Sequence, residues 1–65
     1  MIDGKKIREL RINQGKSLLE VGNFAGISES MMGHIENGRR IPNAETIKLI
    51  ADYLGTTVDS LYKPA

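Results

Sequence analysis

Apolar positions recur at helical spacing inside short segments, each bounded by a capping residue and a glycine. Asp3 precedes Ile7 and Leu10, which share a face, and Gly15 follows, so the pattern predicts a first helix from Asp3 to about Gln14. Ser17 with Glu20 three residues on forms a Ser-x-x-Glu capping box, opening a second helix that runs to about Ala25 and stops at Gly26. Ser28 opens a third over Glu29 to Asn37, with Gly38 behind it. Asn43 opens a fourth, on which Ile47, Ile50, Ala51 and Leu54 line one face before Gly55. Thr57 starts a last helical turn carrying Val58 and Leu61. No segment alternates apolar and polar residues over the length of a strand. The expectation is an all-α fold, a compact bundle of five short helices.

Composition narrows what such a bundle does. The chain has 65 residues, 40% of them hydrophobic, enough for one small domain with a core of its own. That domain is expected over 1–62, with 63–65 as a C-terminal tail; Lys63-Pro64-Ala65 reads as the start of a linker, favouring an excised part of a longer protein over a complete one. The absence of cysteine rules out a disulfide framework, a thiolate metal site and a cysteine nucleophile, and fits the cytoplasm. The longest apolar run, Leu49 to Ala51, falls far short of the ~20 residues a membrane helix needs. One histidine and no paired acids placed by the pattern leave no catalytic set, and His34 lacks the converging groups a metal requires, so neither enzyme activity nor a cofactor is expected.

Net charge is only +1, but its distribution is uneven. Residues 1–16 hold Lys5, Lys6, Arg8, Arg11 and Lys16 against Asp3 and Glu9, whereas the only charged side chains of residues 17–36 are Glu20, Glu29 and Glu36. Arg39, Arg40 and Lys48 against Glu45 restore a basic segment. Scattered surface charge accounts for this pattern, as does a pair of basic flanks for an anionic partner.

Residues 18–37 have helix-turn-helix spacing: a short helix, a turn holding Gly26 and Ile27, and a second short helix. On that second helix, steps of about 100° put Met32 and Ile35 on one side and Glu29, Ser30, Gly33 and His34 on the other. The outward face is small and polar, which suits a helix lying in the DNA major groove, and equally an ordinary solvated helix.

Longer stretches carry a resemblance. Ile7-Arg8-Glu9-Leu10-Arg11, the Ser17 to Glu20 box, Ala25-Gly26-Ile27-Ser28, Ile35-Glu36-Asn37-Gly38-Arg39-Arg40-Ile41-Pro42, and Leu54-Gly55-Thr56-Thr57-Val58 with Leu61 together resemble the phage repressor and Cro type of helix-turn-helix domain, the XRE family. The resemblance implies the phage-repressor five-helix bundle, binding to double-stranded operator DNA as a homodimer, and transcription regulation, with repression favoured. It implies that Glu29, Ser30, Gly33 and His34 face the bases. Lys16, Ser17 and Leu18 at the start of the second helix, with Asn37, Arg39 and Arg40, would approach phosphates, and Arg11 with Glu36 would form a partly buried ion pair.

The departures are specific. Leu18 stands where relatives commonly carry a glutamine, Lys16 where they carry an apolar residue, and Gly22 where they carry alanine. Leu18, Leu19 and Phe24 make an apolar stripe that suggests a protein partner, and with it the alternative that the chain is a protein-interaction module keeping the fold without reading DNA. Tyr53, Leu61 and Tyr62 are the expected dimer contacts, on the ground that aromatic residues near the C-terminus suit such an interface.

Overall fold

The computed structural model describes residues 1–64; of the expected 63–65 tail, Ala65 lies outside them. Four α-helices follow one another: α1 (Gly4–Asn13), α2 (Leu18–Ala25), α3 (Glu29–Glu36) and α4 (Ala44–Tyr53). Each begins where a short polar side chain satisfies an otherwise unpaired backbone amide: Asp3 accepts from Lys6 N, Ser17 from Glu20 N, Ser28 from Met31 N and Asn43 from Thr46 N, at 2.8–3.1 Å. The ends are equally local. After α2, Gly26 adopts φ 76°, which lets its own amide reach Asn23 O at 3.3 Å and the amide of Ile27 reach Gly22 O at 2.9 Å.

The expected fifth helix is not formed, so the bundle has four helices and not five. Its place is taken by a single 3-10 turn, Asp59–Leu61. Thr57 Oγ1 accepts from Ser60 N at 3.2 Å, the same cap that opens the other helices, while the Ser60 hydroxyl donates back to the Thr57 carbonyl at 2.8 Å, a local bond that competes with propagation of the turn. The chain then extends, and Tyr62 pairs with Ile2 in an isolated antiparallel bridge. Asp3 N bonds to Leu61 O at 2.7 Å and Lys63 N to Met1 O at 2.8 Å, which ties both ends of the described chain together.

Ile7, Val21, Met32, Ile35, Ile47, Ile50 and Leu61 form a fully buried centre. α2 is its hub, packed on α3 and on α4, while α1 crosses α3. Two glycines set these approaches. A β-carbon on Gly4 would strike the carbonyl oxygens of Ile35 and Glu36, the latter at 2.6 Å, and one on Gly22 would stand 3.0 Å from Ile27 O. The alanine usual at the latter place would therefore press on the turn between α2 and α3. No helix among the described residues is long and apolar enough to cross a membrane.

Candidate nucleic-acid interface

α2 and α3 with the turn between them form the helix-turn-helix, and the sides of α3 differ in chemistry. Met32, Ile35 and Glu36 are buried, Glu29 and Ser30 are exposed, and Gly33 and His34 are half-buried. Met31 leans onto the core. The structure thus brings Glu29, Ser30, Gly33 and His34 onto one accessible face. Past the end of α3, the amides of Arg39 and Arg40 both bond to His34 O, at 2.9 and 3.3 Å, folding this loop back against the helix. Asn37, Arg39 and Arg40 are exposed there, and among the described residues neither arginine is in an ion pair.

The position of α3 is fixed by a buried charge pair. Arg11 Nε donates to Glu36 Oε2 at 2.7 Å and Nη2 to Glu36 Oε1 at 3.0 Å, a two-point contact of planar fork and carboxylate. Arg11 Nη1 also donates to the Lys16 carbonyl at 2.9 Å. One guanidinium therefore joins α1, the α1–α2 turn and the last residue of α3. The hydrogen bonds that Arg11 donates to Glu36 hold its guanidinium above the ordinary range, outweighing the opposing effect of burial.

Two features of the α2 surface were not visible in the chain pattern. The Lys16 ammonium, expected at a phosphate, lies inside the molecule's own network: it donates to Tyr53 O at 2.6 Å and Gln14 Oε1 at 2.8 Å and stands 4.2 Å from the centre of the Tyr53 ring. With Gln14 Nε2 bonding Leu54 O at 2.8 Å, the α1–α2 turn caps the negative end of α4. A lysine where relatives place an apolar residue is the only sequence signal for this arrangement. The second feature is Glu20, which does not complete the capping box: its carboxylate accepts from the Tyr53 hydroxyl, which holds that phenol above its usual range.

These contacts reorder the expected partner surfaces. Phe24 stacks on Tyr53 with ring centres 4.5 Å apart, and Leu18 is half-buried against the core, so the Leu18–Leu19–Phe24 stripe is not a free apolar face; Leu19 and Phe24 remain about half exposed. Leu61 is 0% exposed and is not available as a dimer contact, because the 3-10 turn points it into the core. Tyr62 is exposed, and Tyr53 is half-buried under Phe24 and Lys16.

Known proteins share this arrangement. The helix-turn-helix family pattern matches residues 7–61. An uncharacterized HTH-type transcriptional regulator of Bacillus subtilis, YazB, is 38% identical over 61 residues, covering 94% of this chain and 88% of its own. Two further regulators are matched over only 44% and 56% of their own length. Among solved structures, the P22 c2 repressor bound to a synthetic operator has the same fold, with a TM-score of 0.90, 24% identity and coverage of 97% of this chain and 96% of that one. SinR, described as a master regulator for biofilm formation and solved in complex with DNA, has a TM-score of 0.82 and 26% identity, over 92% of this chain and 97% of its own. The capped helix pair, the buried Arg11–Glu36 contact and these matches together place the chain in the XRE-type helix-turn-helix family of DNA-binding transcription regulators.

Proposed function

We propose that this chain regulates transcription, as a repressor, by laying α3 in the major groove of an operator and reading base edges with Glu29, Ser30 and His34. The observation that carries the reading is the polar, accessible face of α3, held at a fixed angle by the Arg11–Glu36 contact and flanked by two unpaired arginines. Glu29, exposed in the first turn of α3, is suited to accept from a cytosine amino group. Arg39, Arg40 and Asn37 are placed for phosphates, as is the α2 N-terminus at Ser17 and Leu18. Lys16 is left out of this set because its ammonium is held at the end of α4. No catalytic role enters the reading, and a cytoplasmic setting follows from the DNA partner.

One recognition helix of eight residues covers only a few base pairs, so two copies on inverted half-sites about 34 Å apart are part of the proposal. Of the aromatic residues near the C-terminus, Tyr62 is the exposed one. Selection of bound sequences from random duplex DNA tests the reading. Recovery of an inverted repeat is the expected result; adding half a helical turn between its halves should then abolish tight binding. The exposed Leu19 and Phe24 favour a second reading, a protein-interaction module. That reading predicts no salt-sensitive binding to random duplex DNA at low ionic strength, the opposite of the first.

A further inference from the structure

A departure from the family pattern and a mid-helix glycine meet at one point of the surface. Leu18 is the first residue of α2, and Gly33 lies in the middle of α3. A β-carbon on Gly33 would stand 3.9 Å from Leu18 Cδ1, with nothing else beyond the helix's own backbone within 4 Å. The rest of the fold does not require glycine there. Of the seven glycines, Gly15, Gly26, Gly38 and Gly55 adopt left-handed backbone, and Gly4 and Gly22 sit against carbonyl oxygens that a side chain would meet. Gly33 alone has neither reason, and alanine would favour the helix at its position.

What the glycine does is remove one side chain from the accessible face of α3, next to Glu29 and Ser30 one turn earlier, leaving a notch. Its wall is the Leu18 side chain, which packs on the core and is half exposed at the surface. A hydrocarbon wall offers no donor or acceptor to a base edge. In the major groove the distinctive apolar group is the C5-methyl of thymine. Resting on the reading that α3 enters the major groove, we infer that the Leu18–Gly33 notch receives a thymine C5-methyl, making these two residues determinants of specificity that act by fit. A glutamine at position 18 would line the notch with an amide, and any side chain at position 33 would fill it.

The test uses a duplex recovered by selection, in which each thymine of a half-site is replaced in turn by deoxyuridine, which differs only in lacking the methyl. One thymine per half-site should stand out, its loss weakening binding about fourfold, the effect of withdrawing one buried carbon. For Leu18→Gln and for Gly33→Ala the thymine-to-uracil ratio at that position should fall towards one. Gly33→Ala is the safeguard against misfolding, since it favours the helix. Equal binding of thymine and uracil duplexes at every position by the unaltered protein overturns the inference alone, as does a ratio that persists in both variants. Failure to enrich any duplex overturns the underlying reading and the inference with it.

Discussion

Replacing Glu36 by alanine removes the carboxylate from a pair whose side chains are 12% and 3% exposed, Arg11 being the former. Two charge-assisted bonds of 2.7 and 3.0 Å are lost. Arg11 keeps its bond to the Lys16 carbonyl at 2.9 Å and some access to water, so the cost falls at the lower end of the ~3–5 kcal/mol seen when a buried charge loses its partner. A loss of about 3 kcal/mol is large in a chain this short, whose whole stability is on the order of 3–10 kcal/mol. It corresponds to a fall in Tm of roughly 12–24 °C. Urea unfolding followed by far-UV circular dichroism measures it, alongside the single variants Glu36→Met and Arg11→Met and their double variant. The double variant should be markedly more stable than the sum of the two single losses predicts, since no charge is then stranded. A Glu36→Ala midpoint within about 0.5 kcal/mol of the original, or single losses that simply add, would refute the coupling.

Three further outcomes are expected. Gly33→Ala should stabilise the free protein by up to ~1 kcal/mol, read as a higher melting temperature, because the only nearby atom is Leu18 Cδ1 at ordinary contact distance. Lys16→Met should lower stability by about 0.3–1 kcal/mol through the lost cap on α4 while leaving the salt dependence of DNA binding unchanged; Arg40→Ala should instead reduce that slope by about one. If Lys16→Met flattened the slope as Arg40→Ala does, the internal role assigned to Lys16 would be wrong. The Tyr53 hydroxyl donates to Glu20 only when protonated, and its folded pKa is raised. Its contribution is therefore present at neutral pH and is lost as pH rises through the folded value, and Glu20→Gln should bring the tyrosinate absorbance change to lower pH.

The helices were legible because their starts and stops are local. Asp3, Ser17, Ser28 and Asn43 each bond an amide three residues ahead, and a pattern of four residues suffices to show it. What the chain pattern hid depends on partners far along the sequence or on competition within a turn. Glu20 completes no capping box because Tyr53, 33 residues away, takes its carboxylate. Lys16 is drawn to the end of α4, 37 residues away, and Leu61 is carried into the core by a single 3-10 turn that does not propagate into a helix.

The same long-range contacts change the electrostatic argument for how DNA is held. Residues 1–16 look strongly basic on paper, yet Arg11 is neutralised by Glu36 and Lys16 is bound to the carbonyl end of α4. Past the end of α3, Arg39 and Arg40 are exposed and, among the described residues, without an acidic partner, and Lys5 and Lys63 line the same cleft as Arg40. In the proposed set the charged phosphate contacts are Arg39 and Arg40, and two per copy give a salt slope of only about −2, weak anchoring for one domain. Doubling the contacts on an inverted site doubles that slope and adds a second recognition helix. The way the fold commits Arg11 and Lys16 thus supports the proposal of two copies, independently of which surface joins them.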